Sequence, residues 1–171
     1  MSDIKLDFRA AGPTDLPAVH RLVESAYRGD SARAGWTHEA DLIEGPRTSA
    51  EALQAIVDDP AQVLLLAFDG DRLAGCVQVS RVSDETSYFG MLTVDPRRQA
   101  GGLGRRIVAA AERLARERFG ASRMELTVVS VRAELIAYYE RRGYRRTGES
   151  RPFPVALDPP LALSVMEKAL S

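Results

Sequence analysis

The sequence predicts one domain of the α/β (α+β) class, a central mixed, mostly antiparallel sheet of about seven strands with flanking helices. Three observations carry this reading. Period-two and helical hydrophobic patterns alternate along the chain in the order β-α-α-β-β-β-α-β-α-β-β. Asp69-Gly70-Asp71 separates two apolar runs, a tight hairpin signal that makes those strands antiparallel. Residues 124–129 form a buried strand directly after a long helical pattern, which makes them the parallel partner of the strand before that helix. A length of 171 residues suffices for one domain with a full core, so the domain is expected to span 1–171.

Each element has its own local reason. Ile4, Leu6 and Phe8 alternate with Lys5, Asp7 and Arg9, as in a half-buried strand. Pro13, Thr14 and Asp15 mark a helix start with Thr14 as the cap, and Leu16, Val19, Leu22, Val23 and Ala26 follow at helical spacing. His20 lies on or beside that stripe, which reads as a packed histidine before a catalytic one. Thr48 or Ser49 caps a second helix carrying Leu53, Ile56 and Val57, closed at Asp58-Asp59-Pro60. Residues 62–68 and 72–82 are the hairpin strands, with Cys76 inside the second as core filler rather than nucleophile. A strand at 86–94 leads through glycines to a helix with Leu103, Ile107, Ala110, Ala111 and Leu114 on one face, ended by Gly120. Residues 135–142 form a helix closed by Gly143. Tyr144 opens a strand toward Gly148, four prolines between 152 and 160 make a loop, and 161–170 return as the last strand.

Composition excludes several functions. Hydrophobic content of 45% and charged content of 27% are those of a soluble globular protein. A net charge of -1 gives no field favouring nucleic acid or an anionic membrane, so neither is an expected partner. The N-terminus lacks an apolar signal region, and the longest apolar run, 63–68, is too short to span a bilayer, so a cytoplasmic protein is expected. Its single cysteine excludes an internal disulfide, and His20, His38 and Cys76 have no metal-ligand spacing, so no metal is expected. Only Lys5 and Lys168 are lysines, a bias that removes the force of Arg frequency by itself.

The distinctive stretch is 94–106, VDPRRQAGGLGRR. A strand ending in a Gly-rich turn that feeds a helix leaves N–H groups unpaired at the positive end of the helix dipole, an arrangement that suits phosphate. The same pattern is also that of an ordinary strand-to-helix turn. A nucleotide-binding P-loop is disfavoured because Gly104 is followed by Arg105 and Arg106, not Lys-Ser/Thr. A dinucleotide fingerprint is disfavoured by Ile107 at the third small position.

Gln99-x-x-Gly102-x-Gly104 resembles the acetyl-CoA pyrophosphate loop of the Gcn5-related N-acetyltransferase (GNAT) family, and Tyr139-Glu140-Arg141-Arg142-Gly143-Tyr144 resembles that family's Tyr-Glu-x-x-Gly-Phe segment. Both occur in the family's order of elements. The resemblance implies a parallel, splayed central strand pair and transfer of an acetyl or acyl group from acetyl-CoA to an amine of a small molecule or peptide. It implies coenzyme contacts from the backbone of Leu92, Thr93 and Val94, from the loop Gln99, Ala100, Gly101, Gly102, Leu103, Gly104 and Arg105, and at Arg132, where the family often has Asn. Tyr139 takes the position of the general acid on the departing thiolate. Tyr138, about 100° away on the helix, is then left to pack or to line the acceptor site.

The amine must lose a proton. Some family members place a Glu in the fifth strand; the matching residue here is Thr127, which takes no proton at neutral pH. Glu39 and Asp41 are the candidate bases, with Glu85 behind them. They lie in 28–47, a long segment that also holds Trp36 and Thr37. It is either a surface connection with an anchored Trp or one wall of the acceptor pocket, and Pro152, Phe153 and Pro154 in the proline loop form either a lid on the site or a plain surface loop. Two functions compete: an N-acyltransferase working by direct attack in a ternary complex, and a non-catalytic acetyl-CoA sensor. An open sheet edge or the final strand is the expected place for a homodimer contact.

Overall fold

The computed structural model describes residues 5–27, 48–98, 102–152 and 160–170. Their order of elements is the expected one: β1 (Leu6–Ala10), a 3-10 turn (Pro13–Asp15), α1 (Leu16–Tyr27), α2 (Ala50–Asp58), β2 (Gln62–Asp69), β3 (Arg72–Arg81), β4 (Thr86–Val94), a second 3-10 turn (Pro96–Arg98), α3 (Leu103–Phe119), β5 (Arg123–Val129), α4 (Ala133–Arg141), β6 (Arg145–Pro152) and β7 (Ala162–Ala169).

The strands form one seven-stranded sheet in the order β1-β2-β3-β4-β5-β7-β6. Every neighbouring pair is antiparallel except β4 and β5 at the centre. Alternation along the strands divides the buried residues into two cores. Val77, Val79, Phe89, Leu126 and Val128 face α3 and α4, where they meet Leu103, Ile107, Ala111, Ile136 and Tyr139. On the other face Leu64, Leu66, Cys76 and Met91 pack beneath α1 and α2, against Val19, Val23, Leu53 and Ile56. Cys76 is fully buried among these side chains.

Three local details differ from the pattern reading. The first helical turn is tied by Asp15 rather than Thr14: the Gly12 N–H donates to Asp15 at 2.8 Å while Arg9 donates to both carboxylate oxygens at 2.8 and 2.9 Å. A carboxylate accepting three charge-assisted or backbone bonds outcompetes a threonine hydroxyl for that role. Ser49, not Thr48, caps α2, accepting from the Ala52 N–H at 3.1 Å. Thr48 is held instead by α1, with its N–H on Glu24 at 2.8 Å and its carbonyl 3.2 Å from His20 Nε2, which gives His20 a structural contact. Finally β6 continues past Gly148 to Pro152. Its register on β7 shifts between Arg146 and Ser150, and Gly148 has a φ of 90°, so the glycine marks a bulge rather than an end.

Candidate functional site

The centre of the sheet is where its regularity fails. β4 and β5 pair at only three positions, Thr86 with Arg123, Ser87 with Met124 and Tyr88 with Glu125. Beyond these β4 stays with β3 as far as Val94, and β5 stays with β7 as far as Val129. The two strands therefore part from Phe89 onward, and their ladder does not extend to Leu92, Thr93 and Val94.

A bulge contributes to the parting. Gln78 pairs with Gly90 and Cys76 with Thr93, so Met91 and Leu92 together oppose Val77. Met91 has a φ of 53°, the sole non-glycine in the left-handed region among the described residues. Its side chain is buried under α1, and the Thr93 hydroxyl donates to its carbonyl at 3.0 Å. Such a residue is held by its surroundings, and a bulge bends its strand. The pattern reading missed it, although Gly90 inside a strand is the signal that marks such a site.

At the end of β4 the chain enters α3 through Gly102, which caps the helix with a φ of 75° and no side-chain hydrogen bond. The first intrahelical bond at this cap runs from the Arg106 N–H to the Gly102 carbonyl, so the helix itself offers no acceptor to the N–H groups of Leu103, Gly104 and Arg105. The Arg105 guanidinium folds back over the cap: a Cβ on Gly102 would stand 3.3 Å from its terminal nitrogen. The helix start and the Arg105 guanidinium together concentrate positive charge at this end of α3.

Helix α4 brings its two tyrosines to two different places. Tyr139 is 6% exposed, its ring centroid 5.9 Å from Phe89 and 6.1 Å from Tyr144, so it packs at the point where β4 leaves β5. Tyr138 lies at the cradle: a Cβ on Gly104 would be 3.0 Å from its hydroxyl and 3.7 Å from Val94. The two rings meet edge to face at 5.3 Å, and Arg142 lies over the Tyr138 ring at 4.9 Å. Arg132 begins α4 and bonds Glu134 at 3.0 Å with its side chain largely buried. Tyr144 donates to Glu112 at 2.8 Å, and Lys168 reaches the same carboxylate at 3.2 Å. Burial first, and the Glu112 charge second, push the Tyr144 phenol well above its usual range, so it stays protonated as a structural donor.

On the sheet face away from α3 and α4, the Tyr88 hydroxyl lies 2.8 Å from Thr127 Oγ1 and spans the parted strands. Glu125, the last residue of β5 paired with β4, is held by Arg151 at 2.9 Å. Of the sequence-derived candidates, Leu92, Thr93, Val94, Gly102, Leu103, Gly104, Arg105, Tyr138 and Tyr139 converge around the strand parting and the helix start. Arg132 stands at the start of α4. Trp36, Thr37, Glu39, Asp41, Gln99, Ala100, Gly101 and Phe153 lie outside the described residues. Glu85 precedes β4, where its carbonyl accepts from the N–H groups of Ser122 and Arg123 at the end of the sheet remote from the cradle.

The sheet is thus mixed, with a parallel central pair that opens beside a glycine-led helix start. The family model described as Acetyltransferase (GNAT) family matches residues 18–144, and the chain belongs to that family. No curated protein matches the sequence significantly. Among solved structures, the ribosomal-protein-S18-alanine N-acetyltransferase from Escherichia coli superposes with a TM-score of 0.74 at 20% identity, over 98% of this chain and 95% of its own. A Salmonella typhimurium protein, yncA, solved with its cofactor acetyl-CoA, gives 0.72 at 20% identity over 98% and 95%. Spermidine/spermine N-acetyltransferase SpeG from Vibrio cholerae, solved with manganese ions, gives 0.71 at 18% identity over 98% and 94%. At these identities the superpositions establish the fold. No described helix is long and apolar enough to cross a membrane.

Proposed function

We propose that this protein transfers an acetyl or other acyl group from a coenzyme A thioester to a primary amine, by direct attack in a ternary complex. The observation that carries this is the alignment of one path: the glycine-led start of α3 at Leu103, Gly104 and Arg105, then the stretch of β4 at Leu92, Thr93 and Val94 beyond the end of its ladder with β5, then the Tyr139 ring where β4 and β5 part. The residues suit the coenzyme, because glycines at 102 and 104 keep Cβ atoms out of the cradle and Arg105 adds a guanidinium to it. Gln99, Ala100, Gly101 and Arg132 complete this half of the site in our reading.

The bound thioester supplies the acyl group. The chain's own residues then have three tasks. Leu92, Thr93 and Val94 hold the pantetheine amides by their main chain, as an added strand would. Tyr139 donates its phenolic proton to the sulfur as the C–S bond breaks and the C–N bond forms. A base or water takes the amine's proton, and the phenol recovers one, so that the net change is amide plus free thiol. Thr127 is bonded to Tyr88 and carries no charge, so we assign proton removal to Glu39 or Asp41 in the Trp36 segment. Trp36, Thr37 and Phe153 form the acceptor's walls. Small amines, such as those named for the spermidine N-acetyltransferase neighbour, are the first class to try.

The test is release of free CoA from acetyl-CoA in the presence of an amine and peptide panel, with mass detection of products. Turnover with any acceptor supports the transferase. Tight acetyl-CoA binding with no turnover on any amine would establish the sensor reading in its place.

A further inference from the structure

Tyr138 packs against the same core as Tyr139 but is only partly buried, and its hydroxyl reaches a place of its own. Helix α4 docks on the sheet through Ile136 and Tyr139, which are buried; Tyr138 is only partly buried and turns toward α3. Its hydroxyl is the nearest neighbour of the position a Gly104 Cβ would take, at 3.0 Å. In a helix the Cα–Cβ bond tilts toward the N-terminus. Gly104 is the second residue of α3, so the hydroxyl stands beside the first turn of that helix. Arg142 on one face of the ring and Tyr139 at its edge hold this orientation.

We propose that Tyr138 is a coenzyme-binding residue whose hydroxyl forms a side wall of the phosphate cradle. It donates a hydrogen bond to an oxygen of the coenzyme's pyrophosphate beside the N–H groups of Leu103, Gly104 and Arg105. This rests on the coenzyme A reading above. It divides labour between neighbouring phenols: Tyr138 serves the phosphate end of the path and Tyr139 the strand parting. It also gives Gly104 a second requirement, since any side chain there would push this hydroxyl away.

The test is calorimetric titration of the full chain with CoA itself, so that it does not depend on turnover. Tyr138→Phe keeps the ring and removes the donor. Loss of one hydrogen bond to a charged group predicts CoA binding weaker by about tenfold, with the ligand-free melting temperature unchanged. Gly104→Ala is expected to weaken CoA binding in the wild-type background, and to add much less in the Tyr138→Phe background, because the displaced hydroxyl is already gone. If Tyr138→Phe does not fold, Gly104→Ala alone is decisive: unchanged affinity overturns the proposal. An affinity of Tyr138→Phe within about twofold of wild type overturns it, and so does tighter binding, which would make the ring an obstacle in the path. CoA binding by the wild type without any turnover removes the transferase reading and leaves this test standing; absence of CoA binding removes both.

Discussion

The Tyr88 hydroxyl stands 2.8 Å from Thr127 Oγ1, so that Tyr88, in the last ladder pair of the two parallel strands, also reaches past its partner Glu125. The bond spans the gap at its narrow end. Gly90 lets it form, since a Cβ there would be 3.0 Å from the Tyr88 ring. Removing the hydroxyl with Tyr88→Phe is expected to cost about 1 kcal/mol, the usual net value of one such bond. Urea denaturation monitored at a fixed temperature measures it, and a stability equal to wild type would mean that the bond contributes nothing.

Tyr139→Phe separates two roles of one side chain. The ring packs against Phe89 and Tyr144, and the substitution keeps it, so folding and CoA affinity are expected to persist. Turnover is expected to fall by about 10²–10⁴-fold, the usual contribution of a general acid. Wild-type kcat in this variant would remove Tyr139 from the chemistry. Tyr139→Ala is expected to cost about 3–5 kcal/mol as an aromatic deleted from a core.

Gly75 lies where α3 presses on the sheet. A Cβ there would fall 2.5 Å from both Ile107 Cδ1 and the Thr93 carbonyl oxygen. The isoleucine can rotate; the carbonyl belongs to the strand that carries the bulge. Gly75→Ala is expected to lower stability by about 1–3 kcal/mol, read as a lower urea midpoint at constant slope, and to disturb CoA binding through Thr93.

Acid sensitivity has a local contributor at the other sheet edge. The Arg9 guanidinium, and after it the Gly12 N–H, hold the Asp15 carboxyl below the usual carboxylate range. A folded value below the unfolded one means that the contribution is present above the unfolded value, about 3.9 for Asp, and is lost as pH falls through the folded one. Asp15→Asn is therefore expected to be less stable than wild type at pH 7, with the difference shrinking below about pH 4. Melting temperatures of the two proteins across that range decide it; parallel curves would exclude Asp15 as a titrating contributor.

What the sequence determined by itself was everything carried by local periodicity and by turn chemistry. The order of all eleven regular elements, the hairpin at Gly70, the glycine stops at 120 and 143 and the parallel relation of β4 to β5 follow from residues close together in the chain. The glycine loop and the tyrosine of α4 were visible for the same reason. What only the tertiary structure decided depends on residues far apart. Gly90 marks a bulge in the sequence, but the left-handed φ of Met91 beside it is held by residues far along the chain, in the α1 core and at Val77 opposite. Nothing near Tyr138 shows that its hydroxyl ends at Gly104, since α3 and α4 meet only after β5 has placed them side by side. The pairing of Tyr88 with Thr127, 39 positions apart, has the same origin. A strand's side-chain alternation is written in its own residues; where two strands separate, and which side chains then face the gap, is set by the layers packed against them.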